Sequence, residues 1–123
     1  MSLTIDVDAS DPVRVHLKGR LDSNTAPALD QQLDAVLAAG PRAVVFELAQ
    51  LEYISSAGLR CVVRVKKAMA QSGGQMLMVN LQPTVQKVFD VVKAVAGQNI
   101  FRNVKELDAY LDALQKKVRD PGA

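Results

Sequence analysis

The sequence has a single cysteine, Cys61, and a single histidine, His16. One cysteine cannot form an intrachain disulfide, and no cluster of cysteine and histidine is available to hold a structural metal. We therefore predict no metal site, no cofactor and a reducing, cytoplasmic setting. Cys61 lies inside an apolar stretch and His16 on the polar side of an alternating run, which favours a buried thiol and a solvent-facing imidazole over a nucleophile and a metal ligand.

The sequence also lacks a long hydrophobic run and an excess of charge of either sign. No apolar run approaches the ~20 residues that a membrane span needs, and the first residues do not form a basic leader with an apolar core. The 15 basic and 13 acidic residues are spread along the chain, so charge gives no case for nucleic-acid binding. We predict neither export nor membrane insertion.

What the chain does contain is enough apolar sequence for one folded domain. It has 123 residues, of which 49% are hydrophobic and 23% charged, a composition typical of globular proteins. We place the domain at residues 1–118 and expect residues 119–123 to form a flexible C-terminal end.

Strand and helix patterns alternate along this domain. Alternating apolar and polar residues predict an antiparallel hairpin of strands at 3–8 and 13–18, and continuous apolar runs predict a central strand at 44–48 and a further strand at 75–79. Helical spacing between proline and glycine signals predicts four helices, at about 24–40, 57–71, 82–97 and 103–117, with a short apolar segment at 100–101. We expect Val63 and Tyr110 on the buried faces of the second and fourth helices. The order predicts an α/β fold with a mostly parallel central sheet of four to five strands and an antiparallel first strand.

Ser55 and Ser56 lie between the central strand and the second helix. Unpaired backbone N–H groups and the positive end of the helix dipole favour an anion at such a place, so a phosphate on Ser56 need not unfold the chain. On spacing alone, N-capping by either serine is the favoured interpretation.

The combination of motifs resembles the STAS family, the fold of bacterial anti-sigma factor antagonists, over nearly the whole chain. The matching segments are Gly19-Arg20-Leu21-Asp22 after the second strand, the stretch from Val44 to Leu59, Gly73-Gly74 before the next strand, and Pro83 with Val85, Val88 and Phe89 after it. The resemblance implies a STAS-like single domain without catalytic activity.

The resemblance further implies a phosphorylation-controlled binding protein. When unphosphorylated, such a protein engages an anti-sigma factor that is also a serine kinase of ATPase type, which frees the sigma factor; a metal-dependent serine phosphatase is a further implied partner. The family's acceptor is the serine two positions before the glycine, which is Ser56 here, with Ser55 as second choice. The chain departs from the family at Ser55, where aspartate is frequent, and at Ala57, where serine or threonine is frequent.

The implied partner surface surrounds this loop. Its residues are Asp22, Ser23, Ser55, Ser56, Gly58, Leu59 and Arg60. Two of these have other interpretations: Asp22 suits a turn or cap before the first helix equally well, and Gly58 suits close helix packing. Arg60, Arg64 and Lys67 share one helix face, which is typical of a solvated surface and also suits an acidic partner.

A second functional hypothesis stays open beside the phosphoswitch. A STAS-like subunit of a stress-signalling or lipid-transport assembly would use the serine loop as a contact surface, without phosphorylation, and the fold alone does not separate the two.

Overall fold

The computed structural model describes residues 2–94 and 104–120. They form, in chain order, β1 (Leu3–Asp8), β2 (Val13–Leu21), α1 (Ala26–Ala38), β3 (Ala43–Ile54), α2 (Ser56–Ser72), β4 (Gln75–Val79), α3 (Pro83–Ala94) and α4 (Val104–Arg119). The predicted apolar segment at 100–101 and the predicted end of the third helix near residue 97 lie outside the described residues. No helix in the described ranges is long and apolar enough to span a membrane.

The four strands form one sheet in the order β1-β2-β3-β4. β1 is antiparallel to β2, whereas β2 with β3 and β3 with β4 are parallel. The predicted mostly parallel sheet with an antiparallel first strand is therefore confirmed. Leu21 pairs with Ile54 at the ends of β2 and β3, so the segments that follow both strands leave the same edge of the sheet.

The core lies between one face of the sheet and the helices. The alternation in β2 buries Val13, Val15 and Leu17 and leaves His16 exposed, as the sequence predicts. These residues pack in one cluster with buried side chains of β3 and the helices, which include Leu29, Leu33, Phe46, Leu48, Val65, Val85, Val88 and Leu111.

Two strands are longer than predicted. β2 continues past Gly19, whose φ of 106° suits glycine and not a branched side chain, and the pairing with β3 shifts register on either side of this region. β3 continues through the exposed residues Ala49 and Gln50 to Ile54. Each strand extends because the other runs beside it, so pairing across the sheet overrides the local signals that predicted an end.

Two side chains predicted to be buried are exposed. Val63 and Tyr110 are each 42% exposed. Their neighbours in sequence, Val62 and Leu111, are buried, and successive side chains of a helix point about 100° apart, so both cannot face the core. α2 instead buries Cys61, Val65 and Met69. Thr25 occupies the N-cap position of α1 but makes no side-chain cap hydrogen bond to that helix.

Candidate functional site

The predicted serine loop lies where β3 ends and α2 begins. The Ser55 N–H donates to the Leu21 carbonyl at 2.9 Å, and the Ser55 carbonyl accepts the first helical hydrogen bond from the Leu59 N–H at 2.9 Å. The Ser55 hydroxyl accepts a long hydrogen bond, 3.5 Å, from the Gly58 N–H. Ser55 is therefore the N-cap of α2, and Ser56 is its first helical residue.

Ser56 lies at the predicted place along the chain, but it is buried and contacts α4. Its side chain is buried, with the residue 8% exposed, and its hydroxyl oxygen has no hydrogen-bond partner among the described residues. Its backbone N–H donates to Oδ1 of Asp108, on α4, at 2.8 Å. A carboxylate thus occupies the position at the start of α2 that the sequence predicts for an anion.

Gln115, one of the few buried polar residues, ties α4 to the same loop. Its side-chain oxygen accepts from the Ile54 N–H at 3.0 Å, and its side-chain nitrogen donates to the Ile54 carbonyl at 2.8 Å. The side chain is 3% exposed. Sequence reasoning missed both Asp108 and Gln115; a glutamine four residues after Leu111 on the apolar stripe of α4 is the signal that was available.

Along the second half of β3, polar side chains make the backbone hydrogen bonds that β4 makes along the first half. β4 pairs with β3 only as far as Glu47. Beyond that point, the Gln82 side chain donates to the Ala49 carbonyl at 2.7 Å and the Thr84 hydroxyl to the Glu52 carbonyl at 3.2 Å. Together with Gln115, they satisfy backbone groups that a further strand would otherwise pair.

Asp22 shapes the turn before α1. Its carboxylate accepts from the backbone N–H groups of Asn24 at 2.9 Å and Thr25 at 3.1 Å. The Thr25 hydroxyl accepts from the Asp22 N–H at 2.9 Å and donates to the Arg20 carbonyl at 2.9 Å. The turn interpretation of Asp22 is therefore confirmed, and because Leu21 contacts Ser55, both loops lie at one edge of the sheet.

The predicted partner surface is only partly accessible. Ser23 and Arg60 are exposed and Asp22 is half-buried, whereas Ser55, Ser56, Gly58 and Leu59 are buried. Contact of these residues with a partner stays a prediction, and for the buried four it requires a rearrangement that exposes them.

Gly58 lies in close contact with the core. A Cβ atom at this position would lie 2.6 Å from Cγ of Leu21 and 2.8 Å from Cγ1 of Ile54. The absence of a side chain therefore lets the first turn of α2 pack directly on the ends of β2 and β3.

The basic residues of α2 differ in their contacts. Arg64 forms ion pairs with Asp30 at 3.1 Å and Asp34 at 2.9 Å, both on α1. Its side chain is 37% exposed, so these contacts hold two helices together at a gain of about 1 kcal/mol or less. Arg60 and Lys67 are exposed and remain candidates for contact with an acidic partner.

Cys61 is an inert thiol. It is 2% exposed, and its sulfur lies 3.8 Å from the Ala26 carbonyl oxygen. Burial, reinforced by the Asp30 carboxylate, raises the pKa of the Cys61 thiol to about 12. A helix position alone therefore does not activate this cysteine, and the described residues contain no group of three or more side chains suited to hold a metal ion.

We expect native Cys61 to react with Ellman's reagent at least about 100-fold more slowly than the unfolded chain, because both burial and the raised pKa suppress the reactive thiolate. The labelling rate is measured near neutral pH with and without concentrated guanidinium chloride. Equal rates in the two conditions would contradict the buried, protonated thiol.

The sequence of this chain is similar to those of proteins named anti-sigma factor antagonists. The chain is 41% identical over 75 residues to a putative anti-sigma factor antagonist, BtrV, of Bordetella bronchiseptica, a match that covers 61% of this chain and 65% of that protein. It therefore spans slightly less than two thirds of that relative's length. An anti-sigma F factor antagonist of Paenibacillus polymyxa is 30% identical over 78 residues, covering 63% of this chain and 67% of that protein.

Solved structures share the same architecture. The crystal structure of an anti-sigma factor antagonist from Mycobacterium paratuberculosis superposes with a TM-score of 0.66 at 26% identity, covering 97% of this chain and 96% of that one. The unphosphorylated form of the antagonist SpoIIAA has a TM-score of 0.64 at 19% identity, covering 75% and 81% of the two chains, a likeness of fold alone.

The family match follows the elements described above. The model of the STAS domain aligns with residues 4–107, from the first strand into α4, and includes the serine loop. With its mixed four-stranded sheet and its helix order, this chain belongs to the STAS domain family.

Proposed function

We propose that this chain is an anti-sigma factor antagonist controlled by phosphorylation of Ser56. In its unphosphorylated form it binds an anti-sigma factor that is also a serine kinase of ATPase type, in the cytoplasm, and phosphate on Ser56 ends that binding. A metal-dependent serine phosphatase reverses the modification, and the chain itself catalyses no reaction. The observation that carries the proposal is a serine at the first residue of α2 in a chain whose curated relatives are named anti-sigma factor antagonists.

The local geometry favours Ser56 over Ser55 as the acceptor. The Ser55 hydroxyl caps α2 through Gly58, so a phosphate on Ser55 would disrupt the cap. The Ser56 hydroxyl has no partner among the described residues, so its modification would break no hydrogen bond made by that hydroxyl. A phosphate on Ser56 would also lie at the positive end of the helix dipole.

The departure of Ser55 from the frequent aspartate is compatible with this role. Serine and aspartate are both favoured N-cap residues, so Ser55 keeps the cap. The substitution removes one negative charge beside the acceptor, which changes the charge that a kinase contacts and not the fold of the loop.

A phosphate on Ser56 would end binding through its charge. It adds about −1.5 to −2 charges, and a charge enclosed in an interface without a matching cation costs several kcal/mol. Ser23 and Arg60 are the exposed residues of the predicted partner surface. A partner that binds there would also cover Ser56 and its phosphate.

The proposal predicts opposite effects for two substitutions of Ser56. Ser56→Ala removes a buried hydroxyl without a partner, so fold and partner affinity are expected to stay unchanged. Ser56→Asp is expected to weaken binding at least about tenfold through its charge. The affinities are measured by calorimetry against the serine-kinase-type anti-sigma factor of the same organism.

The matched control is Ser72→Asp, which adds the same charge at the exposed far end of α2 and is expected to leave the affinity unchanged. Equal affinities for the alanine and aspartate variants of Ser56 would contradict the switch. Phosphosite mass spectrometry on protein from native cells, grown with and without stress, gives an independent test.

The burial of Ser56 beneath α4 favours one competing function. A STAS-like subunit of a stress-signalling or lipid-transport assembly needs no accessible acceptor and would bind through this surface without a phosphoswitch. An unmodified Ser56 in every growth condition would support this second candidate.

A further inference from the structure

The start of α2 already holds a negatively charged group from the same chain. Oδ1 of Asp108 lies 2.8 Å from the backbone nitrogen of Ser56. The first-turn N–H groups of a helix are where an anion is stabilised by unpaired donors and by the helix dipole. Asp108 therefore occupies the position that a phosphate on Ser56 would take.

The hydroxyl of Ser56 is enclosed beside this contact. More than nine tenths of the residue is buried, and the hydroxyl oxygen has no partner in residues 2–94 and 104–120. Phosphorylation forms a bond between this oxygen and the γ-phosphorus of ATP, breaks the bond of that phosphorus to ADP, and releases the hydroxyl proton to a base of the kinase. A kinase cannot reach the oxygen while the loop is covered.

The cover is one face of α4. Asp108 and Gln115 are seven residues apart, which places them on the same side of a helix two turns apart. Asp108 accepts a hydrogen bond from the Ser56 N–H, and Gln115 accepts one from the Ile54 N–H. Leu111, between them on α4, is fully buried. The helix is thus attached to the β3–α2 loop by two polar contacts around one apolar anchor.

We propose that α4 is an intramolecular lid over Ser56, and that docking of α4 and a phosphate on Ser56 exclude each other. The phosphate and the Asp108 carboxylate compete for the same backbone donor, the Ser56 N–H, and their like charges repel each other. Modification therefore requires the lid to open and then keeps it open. This inference rests on the proposed assignment of Ser56 as the acceptor.

The test installs phosphoserine at position 56 during translation through an expanded genetic code, so that no kinase is needed. Hydrogen exchange is then measured for the backbone amides of α4 and of Ile54. We expect the protection of these amides to fall at least about tenfold relative to the unmodified protein, while the amides of β2 and α1 keep their protection. Unchanged protection of α4 would overturn the inference.

The control for added phosphate is phosphoserine at Ser10. This residue is exposed in the turn between β1 and β2, at the opposite edge of the sheet from Ser56. A phosphate there is expected to leave the protection of α4 unchanged. An equal loss of protection from both positions would overturn the lid by showing that the effect is not local.

A second variant tests the role of the Asp108 charge. Asp108→Asn keeps an acceptor oxygen and removes the charge, so in this background phosphoserine at position 56 is expected to release α4 less. An equal release in both backgrounds would overturn the competition with Asp108.

Failure of this inference is distinguishable from failure of the proposed function. Release of α4 with unchanged affinity for the anti-sigma factor would contradict the proposed function alone. Weakened affinity with α4 still protected would overturn the lid alone.

Discussion

Gln115→Met is expected to lower the free energy of unfolding by about 2–3 kcal/mol, because it leaves two buried backbone groups without partners. The Gln115 amide pairs with both the N–H and the carbonyl of Ile54, a residue that is fully buried. Methionine keeps a similar length and flexibility, so the effect isolates the hydrogen bonds from the packing. Urea denaturation followed by circular dichroism measures it.

The matched control for this substitution is Lys116→Met. Lys116 is the next residue along α4 and is exposed, so its replacement is expected to change the free energy of unfolding by less than about 0.5 kcal/mol. A Gln115→Met protein as stable as the control would contradict the structural role of the glutamine. Hydrogen exchange adds the location of the loss, because α4 and the end of β3 are expected to lose protection first.

The order of the sheet was predictable because its signals are local. β2 alternates with a period of two, so its buried and exposed faces follow from the sequence. The continuous apolar run that includes Val44, Val45 and Phe46 is buried throughout, as the interior position of β3 requires.

The length of β3 could not be predicted, because it depends on residues far along the chain. Ala49 and Gln50 interrupt the apolar pattern, and β4 does not reach this part of the strand. The remaining backbone groups of β3 are bonded by side chains from later in the chain. Gln82, just before α3, bonds Ala49, and Gln115, on α4, bonds Ile54. No window of sequence around β3 contains this information.

The candidate site was predictable in position but not in accessibility. A polar pair between a strand and a glycine-containing helix start indicated where Ser55 and Ser56 lie. Their covering comes from Asp108 and Gln115, which are 52 and 61 residues from their partners in sequence. Local spacing also left the role of Asp22 open between turn and contact, and the turn geometry became evident only from its hydrogen bonds to the residues before α1.

Gly58→Ala is expected to lower the free energy of unfolding by about 2 kcal/mol, against the trend for helices. In an ordinary helix interior, alanine is favoured over glycine by about 1 kcal/mol. Here the new Cβ would lie 2.6 Å from Cγ of Leu21 and 2.8 Å from Cγ1 of Ile54, and both side chains are fully buried. Overpacking costs about 1–3 kcal/mol, and contacts of 2.6, 2.8 and 2.9 Å with buried carbon atoms place this substitution at the upper end of that range. After the helical gain is subtracted, the net loss is about 2 kcal/mol. A stabilised protein would contradict the close packing of Gly58 on Leu21 and Ile54.

A double-mutant cycle with Leu21→Ala identifies the cause of this loss. Truncating Leu21 removes the atoms that crowd position 58, so the double variant is expected to be more stable than the sum of the single losses by at least about 1 kcal/mol. Leu17→Ala is the matched control, because Leu17 is also buried on β2 but lies about 13 Å further along the strand. Its loss is expected to add to that of Gly58→Ala. Equal coupling to both leucines would contradict a local clash. Coupling to Leu21 alone would establish that the absence of a side chain at Gly58 lets α2, and with it Ser56, pack on the edge of the sheet.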